Sequence, residues 1–119
     1  VNRRHIAKGT VAIKYASVED IPYKADTFNK ICSANTIYFW PNPTENIKEI
    51  YRVLCEGGKL VLGFRTKEQL QNLPFSQHGF QLYTKDDIIN LLNIAGFSDA
   101  HIIESPSTKF DSYCAIATK

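Results

Sequence analysis

The sequence predicts an α/β fold whose sheet is mostly parallel and closes with an antiparallel hairpin. The parallel part is predicted by residues 30–64, KICSANTIYFWPNPTENIKEIYRVLCEGGKLVLGF. There, residues 31–39 and 59–64 are apolar runs of strand length, and apolar residues recur between them at helical spacing. A helix that connects two such strands gives a right-handed unit with parallel strands. The hairpin is predicted by residues 100–104 and 112–118, two strand-like runs with a short connection.

The limits of the central helix are predicted from the residues around it. Pro41 and Pro43 are predicted to end the first strand, because the interior of a sheet does not tolerate proline. Asn42, Pro43 and Glu45 match a helix start, with a cap residue, a proline at the first helical position and an acid at the third. Gly57 and Gly58 are predicted to end the helix.

Shorter elements surround this unit. Residues 1–9 are basic and are predicted to form the end of a helix that Gly9 stops. Side chains in residues 10–15 alternate in character, which predicts a strand with one face more polar than the other. A capping box at Thr66 and a cap residue at Thr84 predict two further helices, which Pro74 and Gly96 end.

Composition and charge limit the class of protein. The 119 residues predict a single domain, and a net charge of +2 gives no reason to expect a nucleic acid or an anionic membrane as partner. No apolar run approaches the roughly 20 residues needed to cross a bilayer, and the first residues do not resemble a signal peptide. The chain has an odd number of cysteines, and they are widely spaced: Cys32, Cys55 and Cys114. This pattern predicts buried free thiols and a reducing compartment, which by default is the cytoplasm.

Motifs for several common chemistries do not occur. The three histidines have no ligand-like spacing with one another or with the cysteines, so no metal site is predicted. There is no serine elbow, no cysteine beside a histidine, no dinucleotide fingerprint and no phosphate loop. Position remains informative, because open α/β sheets bind ligands beyond the carboxyl ends of their strands. Those ends present residues 17–20, 33–40 and 64–66.

The candidates at this edge also have purely structural interpretations. Glu19 and Asp20 could accept hydrogen bonds from a ribose or an amino group, or they could be solvated loop acids. Tyr38, Phe39 and Trp40 could contact a ligand, or they could pack onto the central helix. The residues by themselves therefore predict half of an α/β sheet with a ligand-binding edge.

Three segments together resemble class I S-adenosylmethionine-dependent methyltransferases of the type 11 kind. Residues 18–23, VEDIPY, followed by DTF at 26–28, are similar to the AEDLPF and DxSFD segment of that family. Residues 33–43, SANTIYFWPNP, look like its fourth-strand segment, often SxxTLHFWxDP. Residues 49–60, EIYRVLCEGGKL, resemble EIxRVLKPGGxL. The resemblance implies an incomplete Rossmann-like methyltransferase sheet, transfer of a methyl group, and a small-molecule acceptor.

The cofactor that the resemblance implies is S-adenosyl-L-methionine. By resemblance, the adenine lies beside Ser17, Val18 and Glu19, and the methionine portion lies near Ser33 and Ala34. No catalytic group in the strict sense is expected, because methyl transfer from a sulfonium mainly requires in-line positioning.

The acceptor side is implied to be at Tyr38 and Trp40. Tyr38 replaces a histidine common in the family, Ser17 replaces an aspartate, and Glu56 replaces the proline before the glycine pair.

The family's glycine-rich loop and the acidic residue of its second strand have no counterpart in residues 1–119. The resemblance therefore implies an N-terminally truncated methyltransferase-like domain over these residues, with incomplete cofactor binding. Two functions remain open, a methyltransferase and a non-enzymatic interaction module that keeps the fold. Half of a nicotinamide-binding domain is a third, weaker hypothesis.

The family's sheet order places two strands between residues 10–15 and residues 30–39, and this sequence lacks both. The segment that begins at Thr10 and ends at Tyr15 is therefore an orphaned strand, whose backbone groups need partners. We expect it to pair beside residues 30–39 or with another copy of the chain, giving a homodimer.

Overall fold

A four-stranded mixed sheet forms the centre of the computed structural model, which describes residues 2–73, 80–105 and 112–119. The strands are β1 (Phe28–Ala34), β2 (Leu54–Phe64), β3 (Ser98–Ser105) and β4 (Ser112–Thr118), in the order β1-β2-β4-β3. β1 and β2 are parallel, and the β2–β4 and β3–β4 pairs are antiparallel. The α/β class and the closing hairpin are confirmed. The sheet is mixed, with one parallel and two antiparallel strand pairs, so less of it is parallel than predicted.

Four α-helices are described, and two of them are long enough to cover the sheet. α1 is Arg3–Ala7, α2 is Pro43–Val53, α3 is Lys67–Leu70 and α4 is Lys85–Ala95. The predicted starts of α2, α3 and α4 are confirmed, with Asn42, Thr66 and Thr84 at their N-caps. Gly96 ends α4 at a φ of 106°, as predicted. Pro74, predicted to end α3, lies outside the described residues, and the helix itself ends at Leu70.

The first central strand is shorter than predicted. β1 ends at Ala34, and Ile37–Phe39 forms a short 3-10 helix instead of continuing the strand. The change of direction occurs at Asn35, whose φ is 56° and whose N–H donates to the carbonyl of Gly63 at 2.9 Å. Asparagine is one of the few residues that adopt this left-handed conformation readily.

The predicted stop of α2 at the glycine pair is wrong. The helix ends at Val53 and β2 begins at Leu54, so Gly57 and Gly58 lie inside the strand, where the β1 register shifts. Gly57 has a φ of 78°, and a Cβ on Gly58 would lie 2.8 Å from the carbonyl oxygen of Cys55. Glycine is required at position 57 because of the backbone conformation and at position 58 because there is no space for a side chain.

Residues 10–15 do not form the predicted strand, and within this chain they do not pair beside β1. Ile13 is 74% exposed and Tyr15 is fully exposed. Alternating apolar residues form a strand only where a neighbouring strand offers backbone partners and a surface to cover, and this segment has neither here. Pairing with a second copy of the chain stays a prediction.

The core lies on one face of the sheet, under α2 and α4. The two helices contact each other, and both contact the sheet. From Gly58 to Phe64 of β2 every second residue is buried, and the buried alanines of β4 leave room for the helices above them. The buried residues of these four elements include Ile47, Ile50, Val53, Leu60, Leu62, Phe64, Ile88, Leu92, Ala115 and Ala117. The described helices are all too short or too polar to span a membrane.

The other face of the sheet is only partly covered. Cys32 of β1 is exposed, Cys114 of β4 is half-buried, and Ile103 of β3 is 48% exposed. The prediction that the cysteines are buried is therefore wrong for Cys32. All three cysteines are free thiols.

Candidate functional site

The carboxyl ends of β1 and β2 meet at one corner of the sheet, and Tyr38 joins them. The Tyr38 hydroxyl donates to Oδ1 of Asn35 at 3.1 Å and accepts from the N–H of Arg65 at 2.5 Å. Asn35 directly follows β1, and Arg65 directly follows β2. Tyr38 is 6% exposed, and burial raises the pKa of its phenol while the bond from the Arg65 N–H acts in the opposite direction.

Small side chains line the strand ends beside this bond. Ala34 pairs with Gly63, and a Cβ on Gly63 would lie 3.4 Å from that of Ala34. The hydroxyls of Ser33 and Thr36 are hydrogen-bonded to each other. Ser33 and Ala34, two of the predicted cofactor residues, directly precede Asn35, which Tyr38 contacts, and backbone can approach a ligand closely here.

The loop that carries Ser17, Val18 and Glu19 is a tight turn. Ser17 bridges Asp20, whose N–H donates to the Ser17 carbonyl at 3.1 Å, and the Ser17 hydroxyl accepts from the Glu19 N–H at 3.2 Å. Val18 is half-buried against the core, and Glu19 is exposed. Glu19 lines an open groove of about 540 Å³ along α2.

Two residues of α2 fix this loop in place. Glu49 accepts from the N–H of Ile21 at 2.8 Å, and Arg52 donates to the Ile21 carbonyl at 3.1 Å. The two side chains also pair with each other at 2.6 Å. The hydrogen bond from Arg52 holds the pKa of the Glu49 carboxyl below its ordinary value. The loop is thus bound through both backbone groups of a single residue.

A pocket of about 290 Å³ lies at the same corner of the sheet as Tyr38. Phe39 projects into solvent with 64% of its surface exposed, and its ring centroid is 4.7 Å from that of Phe80. Trp40 is 7% exposed and belongs to the core cluster. The residues that line the pocket are Asn35, Tyr38, Phe39, Arg65, Leu70 and Phe80.

The structure brings together only some of the predicted site residues. Ser33, Ala34 and Tyr38 share the corner formed by β1 and β2, whereas the loop of residues 17–19 is held by α2. No hydrogen bond joins these two groups in the described segments. No group of three or more histidine, cysteine or acidic side chains in residues 2–73, 80–105 and 112–119 could hold a metal ion.

Sequence reasoning did not single out five residues that contribute to the site. Asn35 carried one usable signal, since an asparagine directly after a strand is suited to a positive φ. Phe80 and the N–H of Arg65 carried none, because their neighbours at the pocket lie far away in the chain. Glu49 and Arg52 were part of a quoted motif, but nothing in their spacing indicated a contact with Ile21.

Comparison with known proteins gives the family. A family model described as a methyltransferase domain matches residues 1–62, more than half of the chain. The chain is 35% identical over 101 residues to 2-methyl-6-phytyl-1,4-hydroquinone methyltransferase 1 of Oryza sativa subsp. japonica, covering 84% of this chain and 31% of that protein. It is 36% identical over 66 residues to the uncharacterized methyltransferase YdaC of Bacillus subtilis, covering 56% of this chain and 36% of that protein. The chain thus spans about a third of the length of these relatives.

Solved structures show the same fold at lower identity. A S-adenosylmethionine-dependent methyltransferase from Thermotoga maritima, described as a possible histamine N-methyltransferase, matches with a TM-score of 0.77 and 19% identity. That match covers 98% of this chain and 70% of the other. The cyclase SpnF matches with a TM-score of 0.79 and 16% identity over 99% of this chain and 60% of its own. These likenesses show the fold. The family model that matches more than half of the chain, together with the 35% identical rice relative, leads to one conclusion: the chain belongs to the S-adenosylmethionine-dependent methyltransferase family.

Proposed function

We propose that this chain supplies part of the site of a S-adenosylmethionine-dependent methyltransferase that methylates a small molecule. The observation that carries the proposal is the corner at which Tyr38 joins the ends of β1 and β2 beside Ala34 and Gly63. It lies where open α/β sheets bind ligands, and its small side chains admit a ligand close to the backbone.

The residues present fit part of the cofactor. Val18 offers a half-buried apolar surface and Glu19 an exposed carboxylate, which suit the face and the amino group of an adenine. Ser33 and Ala34 would lie by the methionine portion. Bound S-adenosylmethionine supplies an electrophilic methyl group on its sulfonium. The chain's own residues hold and orient the two reactants and keep water away, as in-line transfer requires.

The glycine-rich loop that the family uses for the cofactor has no counterpart in residues 1–119. We therefore propose that these residues form only part of a methyltransferase-like cofactor site. By themselves they hold S-adenosylmethionine only weakly, because they do not include the loop that would enclose the ligand. The three free thiols support a reducing compartment such as the cytoplasm.

The acceptor side is proposed to be at Tyr38 and Trp40. The rice relatives are by name methyltransferases of 2-methyl-6-phytyl-1,4-hydroquinone, which supports a phenolic ring as the acceptor class. Tyr38 lines the pocket at the sheet corner, so it is the better placed of the two.

The second candidate function is a non-enzymatic interaction module. It is favoured by Ile13 and Tyr15, whose exposed side chains lie in a segment with strand-like alternation. In this alternative, the segment from Thr10 to Tyr15 pairs with its counterpart in another copy and gives a homodimer. The fold alone does not decide between the two candidates, because the cyclase SpnF has a similar fold although its name denotes a reaction other than methyl transfer.

Calorimetric titration of the chain with S-adenosylmethionine separates the two candidates. Micromolar affinity supports a methyltransferase site that works in this chain, and weak saturable binding supports the incomplete site proposed here. The absence of binding at millimolar cofactor, together with a dimer in sedimentation analysis, supports the interaction module instead.

A further inference from the structure

We propose that Phe39 and Phe80 form an aromatic slot that binds a single hydroxylated aromatic ring, with Asn35 as the residue that orients its hydroxyl group. The slot is the pocket of about 290 Å³ at the corner of the sheet. The inference rests on the proposed function, since the bound ring would be that of the methyl acceptor.

The ring geometry indicates an aromatic occupant. Phe39 and Phe80 have centroids 4.7 Å apart with an interplanar angle of 57°, and Tyr38 presents its ring at 6.3 Å from Phe39 and 6.4 Å from Phe80. Phe39 nevertheless leaves 64% of its surface in water, so its ring has a large apolar area available for a ligand. Aromatic rings prefer such edge-to-face and offset arrangements, and a further ring can extend them.

The size of the pocket indicates one ring. A cavity of about 150 Å³ is sufficient for benzene in a protein interior. The volume of about 290 Å³ leaves room for a substituted ring but lies at the lower end of ligand pockets, which start near 300 Å³.

The polar group at the slot is the side-chain amide of Asn35. Its Oδ1 already accepts from the Tyr38 hydroxyl, and its Nδ2 donates to no group in the described part of the chain. That nitrogen can therefore donate to the hydroxyl oxygen of a phenolic ring. The position of Asn35 is fixed because its N–H is bound to the carbonyl of Gly63 and its φ of 56° suits asparagine.

The slot also has the correct neighbours for an acceptor site. Asn35 directly follows Ala34, which is proposed to lie by the methionine portion of the cofactor. A ring that packs against Phe39 and Phe80 in this pocket would then lie close to the residues proposed to hold the methionine portion.

Binding of two small probes tests the slot without any measurement of activity. The chain is titrated with 4-methylphenol and with toluene, and binding is followed through amide chemical shifts in NMR spectra. We expect both probes to shift the amides of residues 35–39, with 4-methylphenol bound about fivefold more tightly because of one additional hydrogen bond.

Three variants make the test specific. Phe39→Ala should lower the affinity for both probes about tenfold, because the exposed phenyl ring that would contact them is removed. Asn35→Gly keeps the left-handed backbone and should reduce the affinity for 4-methylphenol to that for toluene, with toluene unchanged. Ile103→Ala is the matched control, since it removes an apolar side chain of comparable exposure on β3 and should change neither affinity.

Equal binding of the two probes, or unchanged affinity in Phe39→Ala, would overturn the slot. Chemical-shift changes confined to the groove formed by residues 81–83 and by residues 90–94 of α4 would place the probes elsewhere. That result would overturn the slot as well. The titration with S-adenosylmethionine is independent of this result. Probe binding without cofactor binding retains the slot and rejects the proposed function, and the reverse result rejects only the slot.

Discussion

Glu49 and Arg52 lie one turn apart on α2, and together they bind both backbone groups of Ile21. The guanidinium donates to the carboxylate through hydrogen bonds of 2.6 and 2.9 Å. In addition, the carboxylate accepts from the N–H of Ile21, and the guanidinium donates to the Ile21 carbonyl. This arrangement gives a physical role to the glutamate and arginine of a motif that the sequence presents only as a pattern. The helix that crosses between the two parallel strands also holds the loop proposed to contact the adenine.

The geometry of the Arg52 guanidinium is expected to matter more than its charge. Arg52→Lys keeps the charge but cannot bind the carboxylate and the Ile21 carbonyl at the same time, so we expect a measurable decrease in the free energy of unfolding. Hydrogen exchange of the Ile21 amide should accelerate in the same variant. Lys48→Ala is the control, because the pair of Lys48 with Glu45 is exposed and should contribute less than about 0.5 kcal/mol. Equal effects of the two substitutions would contradict this role of Arg52.

Acid should weaken the same contact. The pKa of Glu49 is lowered in the folded chain, chiefly by the hydrogen bond from Arg52. Its contribution to stability is therefore fully present above the ordinary pKa of a glutamate, about 4.5, and is lost as the pH falls through the lower folded value. Urea unfolding at a series of acidic pH values should show a shallower loss of stability in Glu49→Gln than in the native chain. Parallel pH profiles would argue against the contribution of Glu49.

Removal of the Tyr38 hydroxyl should destabilise the corner of the sheet. Tyr38→Phe deprives the N–H of Arg65 of its acceptor and Oδ1 of Asn35 of its donor, and the tyrosine that carries this hydroxyl is only 6% exposed. We expect a cost of about 1–3 kcal/mol, measured by thermal or urea unfolding. Tyr15→Phe removes the same atom from a fully exposed side chain and should have almost no effect. A small effect in both variants would show that the two strand ends are held by other contacts.

The two adjacent glycines of β2 should respond differently to alanine. Gly57→Ala places a side chain at a φ of 78° in open space, and we expect a cost of about 1 kcal/mol from the backbone alone. Gly58→Ala should cost about 2 kcal/mol or more, because its Cβ would lie 2.8 Å from the Cys55 carbonyl and 3.1 Å from that of Asn29, and backbone cannot yield cheaply. Melting temperatures of the two variants provide the comparison. A milder effect at Gly58 would contradict the close approach of β1 and β2.

Local signals in the sequence were sufficient for the helix starts. Thr84 accepts from the N–H of Asp87 at 3.1 Å, and the Asp87 carboxylate accepts from the N–H of Thr84 at 2.9 Å, so four consecutive residues contain the whole interaction. Such an interaction can be recognised without knowledge of the rest of the fold. The hairpin of β3 and β4 was predictable for the same reason.

Contacts between distant segments were not predictable in this way. Alternation in residues 10–15 indicated a strand, but a strand also needs a neighbour, and no local pattern supplies one. Gly57 and Gly58 indicated a helix stop, whereas the space at Gly58 is limited by the carbonyl oxygen of Cys55 and by that of Asn29 on the neighbouring strand. The corner of the site depends on Asn35, Tyr38 and Arg65, which only the completed sheet brings together.

The strand order of the sheet has a consequence for how the chain folds. β1 with β2, and β3 with β4, are each formed by segments close in sequence, whereas the β2–β4 ladder joins Leu60 to Ala117 and Phe64 to Tyr113. Closing so long a loop carries an entropic cost that is incurred before the new contacts compensate for it. We therefore expect two locally assembled halves to form early, and their docking along the β2–β4 seam to limit the folding rate.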